Sequence, residues 1–130
     1  MSRPVFQAIG LVATDMPATL AFYRELGLDI PAEADDQPHV DVPLPGGIQL
    51  MWDTTQLVRS LDPNWDGDTG GSTLAFNCGS PAEVDRVYAG LTAAGHRGYM
   101  EPFDADWGQR YAVVLDPDGN DIDLFATTSG

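Results

Sequence analysis

One order of elements runs twice along this chain, and that repeat limits the fold more than any other feature. Val5 to Ala13 is a β-rich run ending at Thr14-Asp15. Asp15 suits a helix N-cap, with Pro17 in the first turn. Leu20, Tyr23 and Leu26 recur at helical spacing, and Gly27 provides a left-handed stop. Leu28 to Ala32 leads into an acidic stretch containing Pro38. His39 to Leu44 and Ile48 to Asp53 read as strands joined by Pro45-Gly46-Gly47, and Thr54 to Asp62 as a short helix. After a Pro-, Asn-, Asp- and Gly-rich linker, Ser72 to Cys78 is again a strand. Ser80-Pro81-Ala82-Glu83 is a capping box, followed by the apolar stripe Val84, Val87, Tyr88, Leu91 and Ala94, with Gly95 as the stop. Arg97 to Phe103, Gln109 to Leu115 and Asn120 to Ala126 are strands, the last two joined by the turn Asp116-Pro117-Asp118-Gly119. Each half therefore reads β-α-β-β-β, with Tyr23 and Tyr88 in matching helices 65 positions apart. The expectation is one α+β domain: module one over about 5–62, a linker over about 63–71, and module two over about 72–127.

Charge narrows the partners. All six basic residues are Arg, and twenty acids give a net charge of −14. Nucleic acid is excluded as a partner because phosphate binding needs a basic face, and anionic membrane surfaces are disfavoured for the same reason. The run from Val5 is too short to span a bilayer and has no signal-peptide layout. Cys78 is the single cysteine, so no intrachain disulfide forms; it is read as buried and inert. A cytoplasmic location is expected.

Certain stretches carry a resemblance. Leu11 to Met16 with Phe22-Tyr23-Arg24-Glu25-Leu26-Gly27-Leu28 resembles the first strand and helix of the vicinal oxygen chelate superfamily, which includes glyoxalase I, extradiol dioxygenases and bleomycin-resistance proteins. Trp107-Gly108-Gln109-Arg110 and Asp116-Pro117-Asp118-Gly119-Asn120 resemble the end of its second module. The resemblance implies two modules whose curled mixed sheets enclose a cavity. It also implies a divalent metal held by side chains from the first and last strands of the modules, at positions that fall here on Ala8, Gln49, Thr73 and Asp123. Ala8 has no ligand atom, Gln49 and Thr73 are neutral, and only Asp123 is an ordinary anionic ligand. The metal site is read as lost and no cofactor is expected. His96, just past a helix, is read as a surface histidine; His39 opens a strand and reaches toward the cavity.

Strand alternation then sorts the side chains. Phe6, Gln49, Met51, Asp53, Thr73, Asp123 and Phe125 share the cavity-side parity. Ile9, Leu11, Ile48, Leu50, Leu74, Phe76, Ile122 and Leu124 have the opposite parity and should pack under the helices, and Trp52 goes with them. Trp107, Tyr99, Phe103 and Tyr111 lie in strand ends or loops, away from the helical stripes; Trp107 is read as a stacking platform for a flat ligand. Trp65 in the linker is a candidate cover for the pocket mouth. Gly27 to Asp35, Gly46 to Thr55 and Asp106 to Asn120 further resemble the metal-free, antibiotic-sequestering members, mitomycin-binding resistance proteins in particular. That likeness implies a homodimer with a ligand crevice between subunits, with Trp107 stacking and Gln109 and Asp53 as polar contacts. The expected ligand-binding set is Trp107, Asp53, Gln109, Met51, Gln49, Phe6, Tyr99, Phe103, Tyr111, His39 and Asp123, with no catalytic residue. The leading functional expectation is resistance by sequestering a flat aromatic or quinone-type antibiotic. The alternatives are an enzyme of the superfamily, with Asp123 as its base, and a binding subunit for a biosynthetic enzyme.

Overall fold

Alternation in the strands decides which face of each sheet is buried. The structure is a computed structural model that describes residues 3–128. Its elements are β1 (Ala8–Ala13), α1 (Met16–Leu26), a 3-10 helix (Ala32–Asp36), β2 (His39–Pro43), β3 (Gln49–Thr54), α2 (Thr55–Leu61), β4 (Thr73–Asn77), α3 (Pro81–Ala93), β5 (Arg97–Ala105), β6 (Gln109–Leu115) and β7 (Asp121–Thr127). They form two mixed sheets, ordered β1-β3-β2 and β4-β7-β6-β5. In each sheet the first strand pairs parallel with the last one of its half, and the remaining pairs are antiparallel. Helix α1 carries the crossover in the first half and α3 in the second. Leu11, Leu50, Trp52, Ile122 and Leu124 are buried beneath these helices, with Ile9, Leu74 and Phe76 partly buried against them, as their parity requires. Both sheets turn their other face away from the helix layer. No helix of the described residues is long and apolar enough to cross a membrane.

The helix ends follow the sequence signals. The Asp15 carboxylate accepts from the Ala18 N–H at 3.1 Å, and Gly27 ends α1 at φ +120°. Ser80 Oγ accepts from the Glu83 N–H at 3.3 Å. Caps of this kind contribute about 1 kcal/mol each.

The halves differ after their first helix. In the second half the chain goes straight into the long β5. In the first, Arg24 captures the corresponding stretch: its guanidinium donates to the carbonyls of Ile30 (2.9 Å) and Pro31 (2.8 Å) and pairs with Asp35 at 2.9 Å. Those carbonyls are thereby taken from any strand ladder, and 32–36 winds into a 3-10 helix. The first sheet accordingly has three strands and its half reads β-α-β-β, while the second reads β-α-β-β-β. The first strand is also shorter than its apolar run, and Phe6 lies outside it, 70% exposed.

Asp116-Pro117-Asp118-Gly119-Asn120 is more than a turn. The buried Asp116 carboxylate accepts from Tyr23 Oη (2.7 Å), Asn120 Nδ2 (2.8 Å), and the N–H groups of Asn120 (2.9 Å) and Asp118 (3.0 Å). Asp118 accepts from Thr14 Oγ1 at 2.6 Å. The hairpin between β6 and β7 is thereby fastened to β1 and α1. Burial and the Asp116 carboxylate push the Tyr23 hydroxyl well above its usual pKa, so it remains a donor.

Candidate functional site

The sheet faces turned away from the helices carry nearly all the expected ligand-binding residues. On the second sheet, β5–β6 register sets Phe103 opposite Tyr111, and β6–β7 register sets Tyr111 opposite Phe125 and Val113 opposite Asp123. Trp107, in the tight connection from β5 to β6, turns its ring onto this face. Phe103, Trp107 and Tyr111 meet edge to face, with centroids 6.3 Å (Phe103–Trp107), 5.9 Å (Phe103–Tyr111) and 5.4 Å (Trp107–Tyr111) apart. This edge-to-face geometry is the favourable arrangement for aromatic quadrupoles. The Trp107 indole N–H donates to Gln109 Oε1 at 2.9 Å, and Tyr111 Oη donates to Asp123 Oδ2 at 2.7 Å. Partial burial and the neighbouring Asp123 push the Tyr111 pKa up to about 12, so the phenol keeps its proton. Two polar groups therefore fix the orientation of two rings, while Trp107 stays 59% exposed and Phe103 39%.

The first sheet's open face is polar. Gln49, Met51 and Asp53 stand half-buried on β3, with Met51 lying over Gly10 of β1. His39 faces Asp53 across the β2–β3 ladder. Its Nδ1 lies 2.5 Å from Asp53 Oδ1 and its Nε2 lies 3.2 Å from Asp41 Oδ2. The hydrogen bond to Asp53 is the main cause raising the His39 pKa above its ordinary value.

Other expectations need correction. One chain does not enclose the expected cavity: the aromatic face is open, and Tyr99, carried out on the β5 bulge, is 63% exposed and outside the ring cluster. Phe6, ahead of β1, likewise lines nothing enclosed. Depressions lie elsewhere. One of about 430 Å³ runs between α1 and the β6–β7 hairpin, and one of about 330 Å³ lies between the 3-10 helix and β2, with His39 on its wall. His96 is no simple surface residue: its ring packs edge-on against Phe22 at 4.9 Å and its Nε2 lies 3.3 Å from Glu25, because the chain after α3 folds back toward α1. Trp65 lies against Arg59 of α2, 4.8 Å from the guanidinium to the ring. Cys78 is half-buried, and burial raises its thiol pKa, which keeps it unreactive. Asp41 was missed by sequence reasoning; the signal was available, since it lies two residues after His39 and shares its face.

The residues present do not suit a divalent metal. Ala8 and Gln49 are register partners in the first sheet, Thr73 is an exposed hydroxyl, and Asp123 already accepts the Tyr111 hydroxyl. Among the described residues no three His, Cys, Asp or Glu side chains are grouped as such an ion requires.

A search of curated proteins gave no match. Among solved structures, a glyoxalase/bleomycin resistance protein/dioxygenase from Nocardioides is 29% identical, with TM-score 0.73, over 100% of this chain and 87% of the other. A glyoxalase-related enzyme from Fulvimarina pelagi is 22% identical, with TM-score 0.80, over 93% of this chain and 86% of its own. Lactoylglutathione lyase from Agrobacterium tumefaciens is 23% identical, with TM-score 0.70, over 96% and 95%. The last two likenesses establish the fold alone. The family profile described as the glyoxalase/bleomycin resistance protein/dioxygenase superfamily matches residues 5–124. With the paired modules and the Asp-Pro-Asp-Gly-Asn fastening, this chain belongs to that superfamily.

Proposed function

We propose that this protein binds a flat aromatic or quinone-type natural product without transforming it, and protects a cell by sequestration. The observation that carries this reading is the exposed cluster of Phe103, Trp107 and Tyr111, fixed by Gln109 and Asp123 on an open sheet face. Exposed rings held in place by hydrogen bonds suit stacking, because little side-chain freedom remains to be lost on binding. The donor-poor positions Ala8, Gln49 and Thr73 favour binding over metal chemistry. The mitomycin-binding resistance proteins are the proposed functional counterparts.

An open face binds weakly unless something covers it. A homodimer supplies the cover, with the sheet face of a second copy closing the crevice, and the cytoplasm is the proposed location. The test is incubation with mitomycin C and with an anthraquinone, followed by recovery and light scattering. Saturable binding to a dimer, with the compound returned intact, supports the reading. A stable monomer with no affinity for either compound contradicts it.

A second reading has one observation in its favour. Asp123 and Tyr111 form a polar pair at 2.7 Å beside the aromatic platform, as a proton-transfer site would need, in a superfamily that includes enzymes. A recovered compound of altered mass would favour it.

A further inference from the structure

His39 is held at both ring nitrogens. Asp53 Oδ1 lies 2.5 Å from Nδ1, and Asp41 Oδ2 lies 3.2 Å from Nε2; His39 and Asp41, though not Asp53, also line the roughly 330 Å³ depression together with Pro31, Ala34 and Val40. An imidazole with a carboxylate at each nitrogen donates both bonds only as the imidazolium. The charged groups facing it are Asp41 on its own strand, Asp53 on β3 and Glu33 on the 3-10 helix; Asp35 of that helix is engaged by Arg24. No arginine lines the depression. His39 therefore serves as an internal organic cation beside this depression, and with its side chain 42% exposed it has solvent to move into once its carboxylates are taken.

We propose that His39, Asp41 and Asp53 form a cation-exchange subsite, in which an ammonium group of the ligand takes the seat of the His39 imidazolium between the two carboxylates. The inference rests on the reading that this protein binds a flat aromatic ligand, and it adds that the ligand carries a positive charge which reaches the polar face of the first sheet. The ligand's N–H groups replace those of the ring as donors to Asp53 and Asp41. The displaced ring, freed of the carboxylates that raised its pKa, returns toward 6.5 and releases its proton to solvent at neutral pH. In this exchange no covalent bond other than N–H is broken.

Linkage fixes the pH dependence. Below about pH 6.5 the ring is protonated both seated and displaced, and affinity is flat. Between there and the raised pKa of the seated ring, one proton leaves per ligand bound, and affinity rises by up to about tenfold per pH unit. Above that window it is flat again.

The test uses two probes of one shape: 9-aminoacridine, a cation, and acridone, which is neutral. Affinities are measured from pH 5.5 to 8.5, with circular dichroism confirming that each variant is folded. The expected result is that 9-aminoacridine binding rises through the window while acridone binding does not. His39→Gln abolishes the slope, and Asp53→Asn weakens 9-aminoacridine by about tenfold or more without affecting acridone. Should His39→Gln not fold, Asp41→Asn reports the same exchange, since the slope then spans a narrower pH range. Equal, pH-independent binding of both probes overturns the subsite while leaving the aromatic reading intact. A slope that survives in His39→Gln also overturns it, and no binding of either probe to the wild-type protein overturns both.

Discussion

Trp52 in the first half is fully buried, its ring 5.0 Å from that of Tyr23, whereas Trp107 in the second is 59% exposed and makes its one side-chain hydrogen bond to Gln109. The contrast extends to the sheets that carry them. Both bury their even-numbered β3 or β7 positions under a helix, yet the first presents His39, Asp41, Asp53 and Gln49 on its open face and the second presents Phe103, Tyr111 and Phe125. One plan of elements has thus yielded a polar face and an aromatic face. Parity is the same in both; what distinguishes them is which side chains occupy the open-face positions, together with the tight β5–β6 connection, which brings Trp107 against Phe103 and Tyr111.

The contrast can be broken at several points. The largest effect is expected from Trp52→Ala, which leaves a cavity beside Tyr23 and should cost about 3–5 kcal/mol, read as a lower melting temperature. Next comes Tyr23→Phe. It removes a donor from the buried Asp116 carboxylate and so weakens the fastening between the halves, by about 1–3 kcal/mol in denaturant titration. Its counterpart Tyr88→Phe should change stability by no more than about 0.5 kcal/mol, because Tyr88 lies against Gly98 and supports no buried carboxylate. If the two changes cost the same, the fastening is not where the halves differ.

Much of this was legible beforehand. Caps at Asp15 and Ser80, the stop at Gly27 and the parity of β3 and β7 follow from local chemistry, and they located the core and most of the open-face residues. The 3-10 helix at 32–36 was not legible, because it depends on Arg24 reaching forward to Ile30 and Pro31, a contact with no periodic signature. Nor was the role of Asp116 apparent: a turn motif does not disclose that its first carboxylate will be buried against a tyrosine 93 residues away. The enclosed cavity was expected from a resemblance to proteins that form it from paired modules, and a single chain leaves those faces open.

Smaller effects concern ionisation. Tyr111 holds its proton more tightly when folded, so its contribution is complete below about pH 10 and is lost as pH rises through about 12. Asp123→Asn should bring the phenol titration, followed by ultraviolet absorbance, back toward the ordinary value. For His39 the raised pKa means that its stabilisation is complete below about pH 6.5 and fades as pH climbs through the folded value. Proton NMR of the His39 ring would show the raised midpoint in the wild-type protein and a lower one in Asp53→Asn.

The central claim is that the aromatic face of the second sheet is a ligand platform. Its most direct test is titration of tryptophan fluorescence with a flat polycyclic quinone, in the wild-type protein and in Trp107→Ala. The account predicts saturable quenching in the wild type. Trp107→Ala should melt within about 0.5 kcal/mol of wild type, since an exposed ring contributes little to the core, and should bind more weakly by about 1–3 kcal/mol. A folded Trp107→Ala protein that binds the quinone with unchanged affinity would contradict the claim.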